Sequence, residues 1–276
     1  MLSMFRKTMV VVCATALVGV FAGYAAADFI YDFDSNVGQT LTVDQILKDQ
    51  DGWVRSGGTS DNMFVRQEES GYWTSKHIEV AQGVQCAMQR VNDVNWSYSI
   101  QEDQDFDMSA VFYSQGDDIW SVASLAFNHP DLGYKFPFLV SVYGGDFWWF
   151  AREGYFGDIK LNYKLDIPTL DANIYRVGME VTALGSGDYT LQGYYEDLTT
   201  PGDRVYVAEA VASAHFDTFD VFDRLHFSLQ SASANSYSAR MDDFRIEQIP
   251  EPSALALLGC GLIGLLAYAW RKTTIK

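Results

Sequence analysis

The feature that most limits the fold is alternation. In NIYRVGMEVTAL (173–184), Tyr175, Val177, Met179, Val181 and Ala183 fall on one side, and Arg176, Glu180 and Thr182 on the other. Successive side chains of an extended chain point to opposite faces, so a period of two marks a strand with one face buried. GSGD (185–188) supplies hairpin chemistry. In YTLQGYYED, Tyr189, Leu191, Gly193 and Tyr195 then alternate against Thr190, Gln192, Tyr194 and Glu196. RVYVAEAVA, DRLHFSLQ, FDMSAVFYS, IWSVASLAF and YKFPFLVSVYGG repeat the pattern. Between Asp28 and Ile249 helical periodicity is almost absent, and only Val43–Lys48, ahead of DQDGW, is expected to form a short helix. About a dozen or more strands without a fixed repeat predict an all-β fold, an antiparallel sandwich or jelly roll.

The two ends follow other rules. Arg6 and Lys7 precede an apolar stretch from Thr8 to Phe21, and Ala25-Ala26-Ala27 offers a small-residue cleavage site. This is the grammar of a secretory signal peptide over residues 1–27, with Asp28 the first mature residue and signal peptidase the implied partner. Cys13 does not make it a lipoprotein signal, because Val12 stands where a small residue is wanted. At the other end, Ala254 to Trp270 carries no charge. At about 1.5 Å per residue such a helix spans roughly 25 Å, the short end of what crosses a bilayer. Arg271 and Lys272 stop it, and Lys276 completes a basic tail at 271–276. Gly259, Gly261 and Gly264 match a dinucleotide fingerprint, but no strand precedes them and no βαβ unit follows, so they read as small residues in a membrane helix.

Between these ends the chain is strongly acidic. The whole sequence has 19 Lys and Arg against 36 Asp and Glu; five of the basic residues (Arg6, Lys7, Arg271, Lys272, Lys276) lie in the ends, so residues 28–253 carry 14 − 36 = −22. Such a field repels nucleic acid and anionic membrane and attracts divalent cations. An aromatic content of 15% sets the chain apart from acidic disordered tails. Cys13 and Cys260 lie in the ends, which leaves Cys86 as the single ectodomain cysteine and rules out an internal disulfide. Its setting in GVQCAMQRV marks a buried structural thiol.

Pro250-Glu251-Pro252, the apolar run and Arg271-Lys272 together resemble the PEP-CTERM sorting signal of exported bacterial proteins. The resemblance implies recognition by exosortase, a membrane-embedded cysteine transpeptidase. It also implies that the protein is held in the inner membrane by residues 254–270 until processed, then released to the cell surface or an extracellular polysaccharide matrix. Two prolines around a glutamate make an extended, helix-averse segment outside the membrane. The expected organisation is a signal peptide (1–27), an ectodomain (28–249) and a sorting signal (250–276). YDFDSNVGQTL…DQDGW near the start and YSARMDDFRIEQIPEP at the end resemble concanavalin A-like (laminin G-like) jelly rolls. That likeness implies adjacent first and last strands; a galactose-binding-like jelly roll is the alternative.

Three site readings follow. Tyr237, Ala239 and Met241 keep one phase and Phe244 and Ile246 the other, so a β-bulge is expected at Asp242-Asp243. If the end strands are neighbours, Asp32 or Asp34 could meet Asp242 or Asp243 as oxygen ligands of a structural calcium; otherwise these aspartates cap turns or face water. YGGDFWWFAREGYFGD points to glycan binding, with Trp148, Trp149 and Tyr155 as stacking rings beside Arg152, Glu153 and Asp158. In a strand Trp148 and Trp149 face opposite ways, so either one indole is exposed or both sides are covered. No catalytic motif is present: His77, His129, His215 and His226 lack ligand spacing, and Asp103, Asp105 and Asp107 share one face with no adjacent base. The expected protein is a non-enzymatic, surface-sorted polysaccharide binder or matrix component. An inert structural surface protein and a glycoside hydrolase are the alternatives.

Overall fold

The structure, a computed structural model, describes residues 29–31, 33, 41–81, 83–91, 104–114, 119–129, 133–143, 146–152, 159–166, 173–200, 202–215, 224–231, 238–249 and Gly261. Among them lie two antiparallel sheets. The first runs β13 (Val205–His215), β12 (Asp188–Asp197), β11 (Asn173–Gly185), β6 (Phe106–Ser114), β15 (Ala239–Gln248), β4 (His77–Val80) and β3 (Met63–Arg66), with β1 (Phe29–Tyr31) also paired to β15. The second runs β10 (Ile159–Asp166), β9 (Asp146–Arg152), β8 (Gly133–Tyr143), β7 (Ile119–His129), β14 (Arg224–Ser231), β5 (Gln85–Val91) and β2 (Trp53–Gly58). The alternating segments are these strands, and the sandwich expected from them is present.

One face of each sheet meets the other in a single core. Met108, Phe112, Val177, Met179, Leu191, Met241 and Ile246 come from the eight-stranded sheet, and Met88, Phe138, Val140, Trp149, Phe227 and Leu229 from the seven-stranded one. The indole N–H of Trp149 crosses between the sheets and donates to the Gly178 carbonyl at 2.7 Å. Two glycines make room for such rings. A Cβ at Gly193 would lie 2.8 Å from the Trp149 indole, and one at Gly178, on the opposite face, would lie 2.2 Å from the Tyr194 ring.

The last strand confirms the phase switch. Ala239, Met241, Phe244 and Ile246 are all buried, and the pairing of β15 with β6 shifts register between Asp242 and Arg245. Asp243 sits at φ 47°, the left-handed conformation that a bulge residue adopts. The bulge also divides the other edge of β15. Ala239 to Met241 pair with β4, whereas Phe244 to Ile246 pair with β1, as Phe29↔Ile246 and Tyr31↔Phe244. The first and last strands are therefore neighbours.

Near the amino terminus a buried polar cluster fixes β1. Trp53 donates its indole N–H to Tyr31 Oη (2.7 Å), and Tyr31 donates to Asp51 Oδ2 (2.7 Å). Arg90, 2% exposed, reaches both Asp51 carboxylate oxygens at 3.2 Å and the Asp51 carbonyl at 2.9 Å. DQDGW is thus a turn, with Asp51 at φ 45° and Gly52 at φ 76°, that delivers one carboxylate to a buried guanidinium. The helix expected at Val43–Lys48 does not form. Asp44 stands at φ 64°, Ile46 makes an isolated bridge to Phe64, and the Asp44 and Leu47 amides donate to the Val65 and Met63 carbonyls of β3. Six residues gain little from helical hydrogen bonding, and here the sheet edge supplies the acceptors.

Candidate functional site

β9 reads Asp-Phe-Trp-Trp-Phe-Ala-Arg, with Phe147, Trp149 and Ala151 buried and Asp146, Trp148, Phe150 and Arg152 half-buried on the outer face. Trp149 is fully enclosed, which removes it as a stacking ring; Trp148 is the outward indole of the pair. Tyr155 lies outside the described residues. Register brings other side chains to the outer face: Ser141 and Lys164 lie opposite Trp148, Asn162 opposite Phe150, and Tyr143 opposite both Asp146 and Trp120.

The outer rings form a row across three strands, β7, β8 and β9, with Lys164 of β10 beside it. Trp120 meets Tyr143 edge-on at 5.6 Å between centroids, and Trp148 meets Phe150 at 6.0 Å. Lys164 Nζ bridges the two pairs, 4.5 Å from the Tyr143 ring and 5.2 Å from the Trp148 ring. The Trp148 indole N–H donates to Asn162 Oδ1 at 2.8 Å, which fixes the plane of that ring, and Arg152 lies over Phe150 at 5.7 Å. Tyr143 is 45% exposed. The arrangement offers flat apolar faces beside an ammonium, an amide and a guanidinium. Trp120, Tyr143, Asn162 and Lys164 were not singled out in the sequence. Their only signal is that each falls on the polar phase of its strand.

The outer face of the eight-stranded sheet gathers carboxylates around Arg204. Tyr194 donates to Asp107 Oδ1 (2.6 Å), and Arg204 Nη1 donates to Asp107 Oδ2 (2.7 Å) and Glu180 Oε1 (2.6 Å). Arg204 Nε reaches Glu196 Oε1 (3.0 Å), and its guanidinium carbon stands 3.8 Å from the Tyr194 ring centroid. Burial pushes the Asp107 carboxyl up to about 6, against the pull of Tyr194 and Arg204, and burial also raises the Tyr194 hydroxyl. Asp107 is therefore no solvated edge residue. Asp105 accepts the Ala183 amide at 2.7 Å, and Asp103 lies outside the described residues.

The carboxylates expected at the bulge have protein partners. Asp242, 2% exposed, accepts the Ser75 hydroxyl at 2.8 Å and the Asp243 amide at 2.8 Å. Asp243 accepts Arg245 at 2.7 Å, with Arg176 at 3.7 Å. Asp32 and Asp34 lie outside the described residues. Among the described residues, no three His, Cys, Asp or Glu side chains gather as they would to hold a metal ion. Burial raises the Cys86 thiol to about 11 and lowers His77, packed against Trp73, to about 4, the state of an inert thiol and a neutral buried imidazole.

β15 ends at Gln248, and Ile249 still donates its amide to the Asp105 carbonyl at 3.0 Å. Directly beyond stands Pro250-Glu251-Pro252. Residues 248–272 match the PEP-CTERM protein-sorting motif. The motif marks a protein that is exported and sorted to the surface, and it is the recognition signal for exosortase processing. Among the described residues no helix is long and apolar enough to cross a membrane; 254–270 lie outside them except Gly261, as do the expected cleavage residues Ala25, Ala27 and Asp28.

No curated protein matches the chain at a significant level. Among solved structures it is similar to the binding domain of Paraclostridial Mosquitocidal Protein 1, with 16% identity and a TM-score of 0.40 over 72% of this chain and 44% of that one. It is also similar to the Emp46p carbohydrate recognition domain, with 11% identity and a TM-score of 0.45 over 75% and 92%. A protein of unknown function from Shewanella oneidensis MR-1 gives 8% identity and a TM-score of 0.42 over 81% and 87%. The chain spans less than half of the mosquitocidal domain. The sandwich itself rests on its own strands and register, not on these scores.

Proposed function

We propose that this surface-sorted sandwich binds extracellular polysaccharide on the outer face of its seven-stranded sheet. The observation that carries the reading is the row Trp120–Tyr143–Lys164–Trp148–Phe150. A sugar ring presents an apolar face edged by hydroxyls, and this surface pairs aromatic rings with fixed donors and an acceptor in Asn162 and Asp146. Aromatic rings contribute contact area at a low cost in side-chain entropy. An acidic surface of net charge −22 on residues 28–253 (14 − 36) favours neutral or cationic glycans over polyanions.

A reading without enzymatic activity fits the carboxylates. Asp107 and Glu180, cross-strand neighbours, share one nitrogen of Arg204, which occupies the space between them. Glycoside hydrolysis needs that space for the scissile oxygen. A purely structural surface role requires no aromatic row, so the row is what separates binding from scaffolding. Affinity electrophoresis through gels containing neutral polysaccharides tests the proposal: the wild-type domain is retarded, and Trp148→Ala migrates freely in the same gel. Equal migration of the two in every gel contradicts it.

A further inference from the structure

The sorting motif and the fold share residues. The motif begins at Gln248, and Gln248 is also the last residue of β15, paired with Phe106 of β6; Glu247 pairs with Asp107. The Ile249 amide adds one more bond to the Asp105 carbonyl. Pro250 has no amide hydrogen, so pairing must stop there, and Ile249 is held extended as the residue before a proline. No linker separates the ladder from the Pro-Glu-Pro tripeptide.

The distance to the membrane is short on the same account. From Ile249 to Ala254, the start of the uncharged run, there are five residue steps, at most about 18 Å when fully extended. The headgroup layer takes up roughly 5–7 Å of that. β1 starts at the same place, since Phe29 lies opposite Ile246 and the pair is antiparallel. This end of the sandwich also carries the start of β6 and the β11–β12 hairpin around Gly185–Gly187, because Val181 lies opposite Phe106.

We propose that the folded sandwich restricts exosortase's access to its own signal, so that processing waits on unpairing of Glu247–Ile249 from β6. These three residues are half-buried, whereas Ile246 next to them is fully buried against the core. Unpairing therefore reaches inward as far as Glu247 without opening the core, and further unpairing costs core burial. The restriction depends on the motif's recognition by exosortase and on the 254–270 run lying in the membrane. It is independent of polysaccharide binding.

The test is pulse–chase conversion of the full-length precursor to its processed form in an exosortase-bearing host. A flexible Gly-Ser spacer of about eight residues between Ile249 and Pro250 adds a reach of roughly 16 Å. It should speed conversion about tenfold, which corresponds to about 1.4 kcal/mol. The same spacer between Ser186 and Gly187 should leave the rate unchanged, and Glu251→Ala should block conversion with or without the spacer. If Glu251→Ala blocks conversion but the Ile249–Pro250 spacer leaves its rate unchanged, sorting stands and the restriction is refuted. If Glu251→Ala converts normally, the signal is not being read and both fall.

Discussion

Gly178 and Gly193 occupy opposite faces of the eight-stranded sheet, and each lies under an aromatic ring. Alanine at Gly178 would drive a methyl into Tyr194, and alanine at Gly193 would press Trp149, whose neighbours fill the core. Overpacking of this kind costs about 1–3 kcal/mol, so each variant should melt lower than wild type in calorimetry. Asp51→Ala should cost more, about 3–5 kcal/mol in denaturant titration, because it leaves Arg90 buried without its carboxylate. Two titrations of opposite sign are built into the sheet. Asp107 has a folded pKa of about 6, above its ordinary 3.8, so its contribution is fully present below 3.8 and lost as pH rises through 6. His77 has a folded pKa of about 4, below 6.5, so its contribution is present above 6.5 and lost as pH falls through 4. Each amounts to about 3 kcal/mol at 1.36 kcal/mol per pK unit. Denaturation between pH 4 and 7 should therefore show Asp107→Asn gaining on wild type as pH rises, and His77→Gln losing ground over the same range.

Elements whose pattern is local were legible in the sequence. β11 and β12 were readable from period two, and the β15 bulge from the shift of phase between Met241 and Phe244. Val43–Lys48 misled because its amides bond to the Val65 and Met63 carbonyls, acceptors that no local pattern reveals. The candidate face was half legible for the same reason. The Trp148-Trp149 pair announced opposite faces, but Trp120, Tyr143 and Lys164 are brought together only by strand register. Adjacency of β1 and β15 gives β1, and Phe33 two residues past its end, a large role. Phe33 packs 6.4 Å from Trp53 and 5.9 Å from Phe227, and Tyr31 lies 5.5 Å from Trp53. Phe33→Ala should cost about 3–5 kcal/mol, and removing residues 28–33 should abolish the cooperative melting transition. A truncated domain that melts as sharply and as high as the intact one would contradict the role given to β1.

At the scale of the whole molecule, the domain holds together without covalent help. Cys86 is buried and is the single cysteine between the two ends, so reductant should leave the melting temperature of residues 28–249 unchanged. The two sheets also divide the work. The outer face of the eight-stranded sheet spends its carboxylates on Arg204, Arg176 and Arg245, whereas the outer face of the seven-stranded sheet presents rings, an ammonium and an amide. On the reading proposed above, that second face is the one that meets polysaccharide once the protein is sorted to the surface. The measurement that bears most directly on this account is a glycan array probed with residues 28–249 as wild type, Trp148→Ala and Tyr143→Ala, each first shown to melt cooperatively. The account predicts that wild type binds at least one neutral polysaccharide and that each substitution weakens binding about tenfold or more, or about 1.4 kcal/mol. Absence of binding across the array, or binding that both folded variants retain in full, would contradict it.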